Sequence, residues 1–118
     1  MTYEYFWLRN YIPLISEGQV KQELIQRTGI FNSLGNEGWE LLPNLSETGA
    51  FCFRRPRNNL HRTRYEYYWL RDYIPILSDK QIQQDMDKRS KLFNELSVHN
   101  WELIMDDLSM FCFIRVKE

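Results

Sequence analysis

The stretch Tyr3-Glu4-Tyr5-Phe6-Trp7-Leu8-Arg9-Asn10-Tyr11-Ile12-Pro13 returns as Tyr65-Glu66-Tyr67-Tyr68-Trp69-Leu70-Arg71-Asp72-Tyr73-Ile74-Pro75. A chain that carries one pattern twice is read first as a repeat. The correspondence runs without a gap from residues 3–42 to residues 65–104, with about half of the positions identical. After a two-residue deletion, Phe51-Cys52-Phe53 matches Phe111-Cys112-Phe113. The chain therefore divides into a first unit at 1–55, a basic linker at 56–64 and a second unit at 65–118. The two units are expected to form one compact body.

Each unit reads as strand, helix, strand, strand. The opening strand is rich in aromatic residues and stops at Pro13 or Pro75, because proline cannot donate to a ladder. Helix starts are written twice. Ser16-Glu17-Gly18-Gln19 and Ser78-Asp79-Lys80-Gln81 fit a capping box, in which serine accepts from an amide of the first turn. An apolar stripe of helical spacing follows, at Val20, Leu24, Phe31 and Leu34 and again at Ile82, Met86, Phe93 and Leu96. Gly38 and Asn100 supply the stops, being the residue types that tolerate a left-handed helix end. Trp39-Glu40-Leu41-Leu42 and its copy open the second strand, with Pro43 favouring an edge position. A right-handed connection then sets the third strand in the middle of each sheet. The fold class is α+β: two tandem β-α-β-β repeats, each a mainly antiparallel three-stranded sheet with one helix on one face, related by pseudo-twofold symmetry.

Pleating splits the opening strand into two apolar faces. We assign Tyr3, Tyr5, Trp7, Trp39, Leu41, Phe51 and Phe53 to the face under the helix. Phe6, Leu8 and Ile12, with Tyr68, Leu70 and Ile74 in the second unit, then fall on the uncovered face and form the expected interface. One helix covers one face only, so the other face has to meet the second unit, another subunit or a protein partner.

Composition bounds the function. Net charge is −1, with 26% charged and 43% hydrophobic residues, which fits a globular chain and argues against a dedicated nucleic-acid binder. No apolar run approaches the roughly 20 residues of a membrane span, and the first residues lack the features of a signal peptide. A cytoplasmic location is expected. Five arginines crowd residues 54–64, a solvated tether between two acidic units in the simplest view.

The Tyr-Glu-Tyr opening and the Gly38-Trp39-Glu40-Leu41 turn, separated by one amphipathic helix, resemble a known family. It is the family of short bacterial and phage-associated domains called domain of unknown function 4177. The resemblance extends to the aromatic last strand ending in basic residues, here Phe51-Cys52-Phe53-Arg54-Arg55 and Phe111 to Arg115. It implies the strand-helix-strand-strand unit and carries no activity. The fusion of two copies and the Trp-Leu-Arg-x-Tyr-Ile-Pro segment depart from the family.

Catalytic patterns are missing. His61 sits in the linker and His99 aligns with Glu37, and neither has a nucleophile beside it. Glu4/Glu40 and Glu66/Glu102 read as carboxylates facing arginines rather than as an acid–base pair. Cys52 and Cys112 read as small buried apolar side chains, and no spacing suits a metal. No enzyme, metal or cofactor is expected.

Arg9 and Arg71 lie among aromatics in the first strand of each unit, and Arg27 and Arg89 interrupt the helical stripe. Guanidinium groups with Trp7, Tyr11, Trp69 and Tyr73 suit a planar anion such as a nucleotide, by stacking and bidentate contacts. Two readings follow. The first is a non-catalytic binding protein, a homo-oligomer or a partner binder, that associates through the sheet face left open by the helices. The alternative is a small-ligand binder for a nucleotide-like anion at a pseudo-symmetric Arg/Trp site.

Overall fold

The computed structural model describes residues 2–58 and 62–118; the His61 reading lies outside the described residues. Strand β1 (Tyr3–Arg9) leads to helix α1 (Glu17–Asn36), strand β2 (Glu40–Leu41), a 3-10 turn at Pro43–Leu45 and strand β3 (Ala50–Pro56). The second unit repeats the order with β4 (Tyr65–Arg71), α2 (Asp79–Val98), β5 (Glu102–Asp107) and β6 (Met110–Val116). Both sheets are antiparallel, ordered β1-β3-β2 and β4-β6-β5, so the third strand of each unit is central as expected.

The duplicated helix signals operate twice. Ser16 Oγ accepts from the Gln19 amide and Ser78 Oγ from the Gln81 amide, each at 3.2 Å. Gly38 and Asn100 take the left-handed conformation just past each helix, with φ of 88° and 69°. Pro43 explains the one large difference between the units. It aligns with Met105, which pairs with Cys112 in β5. Proline has no amide to give, so β2 stops at two residues where β5 runs for six.

Leu41, Phe51 and Phe53 lie on the helix-covered face as expected, but the two faces of the first strand are the reverse of those expected. Phe6 stands opposite Phe53 and Leu8 opposite Phe51, and it is Phe51 and Phe53 that the α1 residue Phe31 touches. Phe6, Leu8 and the buried Ile12 therefore belong to the helix-covered side, as do Tyr68 and Leu70 opposite Phe113 and Phe111 in the second unit. Ile74 is half-buried. Tyr5 and Trp7, opposite Arg54 and Cys52, point away from α1. The reason is register: alternation separates two sets, but only cross-strand pairing says which set shares a face with Phe51 and Phe53.

The packing of the two units is also one-sided. Helix α1 covers its own sheet and lies along β4 of the second unit, so it is sandwiched, with Val20, Leu24, Arg27, Phe31 and Gly35 all buried. Helix α2 covers only its own sheet and has no buried residue. A pseudo-twofold would have set α2 on β1 as well. The relation is instead head-to-tail, and the body is elongated at 53 × 31 × 23 Å. No helix among the described residues is long and apolar enough to cross a membrane.

Phe31 is the packing centre. It makes edge-on contacts with Phe51, Phe53, Tyr67 and Trp69 at centroid distances of 5.2, 5.1, 5.5 and 5.4 Å. Its copy Phe93 meets only two rings among the described residues, those of Phe111 and Phe113. Phe31→Ala is expected to cost about 3–5 kcal/mol, and Phe93→Ala clearly less, since Phe93 is half-buried. Urea midpoints of the two variants check the order.

Candidate interaction surface

Strand β4 is a sheet edge, and its outward amides need acceptors. Helix α1 supplies them. The Tyr67 amide donates to Asn32 Oδ1 at 2.6 Å and the Trp69 amide to Thr28 Oγ1 at 3.2 Å. One helical turn of about 5.4 Å is close to two strand residues of about 6.6 Å, so a polar pair at i and i+4 matches alternate amides. Gly35 makes the approach possible, because a Cβ there would overlap the Tyr65 carbonyl oxygen.

The side chains of β4 extend the contact. Tyr67 Oη donates to the Trp39 carbonyl and accepts from the Leu41 amide, both at 2.8 Å, which completes the short β2. Burial pushes the Tyr67 phenol far above its ordinary pKa, so it stays a neutral donor. Arg71 forks onto Glu17 at 2.9 and 2.7 Å and donates to the Leu108 carbonyl at 2.6 Å. That hydrogen bond from Arg71 holds the Glu17 carboxyl below its ordinary pKa.

Arg27 sits at the middle, fully buried. Its guanidinium lies over both the Phe51 and Trp69 rings, 4.8 and 4.6 Å from their centroids, and the two rings also meet edge-on at 5.6 Å. It donates to Asn10 Oδ1 and the Asn10 carbonyl at 2.8 and 2.6 Å, and reaches Asp107 Oδ2 at 3.4 Å. Burial pushes its pKa down and Asp107 pulls it back up.

The same residue types stand on β1 and on α2 without these partners. Tyr5 and Trp7 are each 58% exposed, where Tyr67 and Trp69 are 1% and 4%. Arg9 stacks on Tyr11 at 5.3 Å and makes no ion pair among the described residues. On α2, Asp79, Ser90 and Asn94 stand where α1 has Glu17, Thr28 and Asn32, and all three are exposed. Arg89 is held within its own unit by Asp72, with Nε to Oδ2 and Nη2 to the carbonyl both 2.6 Å, and stacks on Phe111 at 4.9 Å.

The eight residues expected to bind a ligand are thus not gathered into one site. Trp69 and Arg27 are interior and already face to face, so no planar ligand enters between them. Arg71 is bound by Glu17 and stacks on the exposed Tyr73. Trp7, Arg9 and Tyr11 remain together on the open side of the first sheet. Reasoning from sequence missed Thr28, Asn32, Gly35 and Asp107. The detectable signal was the polar pair four residues apart, kept as Ser90 and Asn94 on the other helix.

Three of the four carboxylates expected to face arginines do so: Glu4 meets Arg55 at 2.6 Å, Glu40 meets Arg54 at 3.4 Å and Glu66 meets Arg115 at 3.3 Å, while Glu102 makes no ion pair among the described residues. Arg62, from the linker, also approaches Glu4 at 3.6 Å. An open groove of about 710 Å³ between the units is lined by Glu40, Glu66, Glu102 and Arg115. No group of three metal-ligating side chains occurs among the described residues, and both cysteines are free and buried. Among known proteins, no family model matches the chain, and no curated protein or solved structure matches it.

Two glycines of α1 separate close approach from helix propensity. Gly35→Ala is expected to loosen α1 from β4 and lower stability, because the added methyl meets backbone. Gly29→Ala, with nothing within 4 Å of the new Cβ, is expected to raise stability by about 0.5–1 kcal/mol. Thermal unfolding of the two variants should move in opposite directions.

Proposed function

We propose that the chain is a non-catalytic binding protein that uses the open side of its first sheet to hold itself or a protein partner. On this reading the two units are fused copies of the type found in the domain of unknown function 4177 family. The observation that carries the proposal is the contrast between repeats. Tyr67 and Trp69 are buried by a helix from the neighbouring unit, while Tyr5 and Trp7, alike in type and backbone setting, are exposed. Large aromatics on a strand edge with unpaired outward amides form an adhesive surface, which soluble proteins otherwise blunt with charge or proline. Aromatic and arginine side chains are also those that dominate the energetics of interfaces.

A second reading rests on Arg9. Its guanidinium lies over Tyr11, beside Trp7, with no carboxylate partner among the described residues, an arrangement that suits a planar anion. Calorimetry with nucleotides and cyclic dinucleotides, repeated on Arg9→Ala, tests it. Heat that vanishes in the variant supports ligand binding, and silence in the parent protein removes it.

The main reading is tested by placing a photo-crosslinking benzoylphenylalanine at position 7 or at position 69. The proposal expects a discrete protein adduct, with this chain or another, from position 7 only. Absence of any adduct from position 7 in extract of the native host, at every protein concentration, overturns it.

A further inference from the structure

Resting on that reading, we propose that the partner is a second copy of this chain, whose β1 edge docks on α2 as β4 docks on α1 within one chain. The internal contact is a template with two unused halves. Strand β4 is bound by a helix, and its repeat β1 is not; α1 binds a strand, and its repeat α2 does not.

Each element of the template has its counterpart on the two free surfaces. Ser90 and Asn94 are exposed on α2, one turn apart, and can accept from the outward amides of Trp7 and Tyr5 as Thr28 and Asn32 accept from Trp69 and Tyr67. Arg9 and Asp79 repeat the charges of Arg71 and Glu17. The Leu103 side chain, 45% exposed where Leu41 is buried, marks the strand whose amide would meet the Tyr5 hydroxyl. Arg89 has one ring beside it, Phe111, where Arg27 has two; an incoming Trp7 would take the place that Trp69 takes over Arg27. Arg89 needs no carboxylate from the partner, because Asp72 already supplies one.

One position departs from the template. Ser97 stands where α1 has Gly35, and its Cβ would meet the carbonyl of Tyr3 in the docked strand. The end of β1 must stand off there, which makes the contact between chains weaker than the one within the chain. The two surfaces differ, so the contact is heterologous, and it ends either in a reciprocal dimer or in a longer head-to-tail assembly.

Sedimentation equilibrium over a concentration series tests the proposal. Wild-type protein is expected to rise from the chain mass of 14.5 kDa to twice that or a higher multiple. Trp7→Ala and Asn94→Arg, each with the wild-type unfolding profile, are expected to stay at the chain mass. An equimolar mixture of the two variants should associate, since each retains the surface that the other lacks. Ser97→Gly should shift association to lower concentration. A wild-type protein that remains at 14.5 kDa, or association that survives both substitutions, overturns the proposal. If the wild type is monomeric but the crosslinker at position 7 still traps a different protein, only the identity of the partner fails. A monomer without any adduct removes the broader reading as well.

Discussion

The buried guanidinium of Arg27 is the interaction on which the union of the two units depends. It touches the end of β1 through Asn10, β3 through Phe51, β4 through Trp69 and β5 through Asp107. A buried charge is expensive unless it is paired and hydrogen-bonded, so these four elements have to arrive together. The neighbouring Phe51 and Trp69 rings add a cation–π attraction of about 2 kcal/mol when desolvated. Arginine suits the position because its planar group stacks and donates in one plane at the same time.

The comparison with Arg89 shows how one residue makes the arrangement asymmetric. Both arginines bond the residue that follows the first strand of their unit, Asn10 or Asp72. Asp72 neutralises Arg89 locally, whereas neutral Asn10 leaves Arg27 to find its counter-charge in Asp107 of the other unit. A duplicated sequence thus gives one helix that is covered on two sides and one that is covered on a single side. The same asymmetry leaves the Tyr5–Trp7 edge at one end of the molecule and the polar row of α2 at the other.

Much of this fold was legible in the sequence because its signals are local and are written twice. Serine caps, the Gly38 and Asn100 stops and the strand-breaking Pro43 act through nearest-neighbour geometry, and each works as sequence position alone implies. The faces were not legible. Phe6-Trp7-Leu8 offers an apolar residue on both sides of the pleat, and sequence alone favours Tyr5 and Trp7 for the helix side. Cross-strand register assigns Phe6 and Leu8 there instead, opposite Phe53 and Phe51. In the second unit even the non-helical face is interior, because Tyr67 and Trp69 are buried by the helix of the first.

Sequence by itself therefore determined the units: two β-α-β-β modules, their helix limits and their central third strands, all set by interactions a few residues long or by simple connection rules. Tertiary structure alone decided which apolar set is core, which tryptophan is exposed and which arginine is buried. Those outcomes depend on contacts between residues 54 or 80 positions apart, such as Glu17 with Arg71 and Arg27 with Asp107. Strands that differ only at Phe6 and Tyr68 meet different neighbours in the two repeats, and no local pattern can distinguish them.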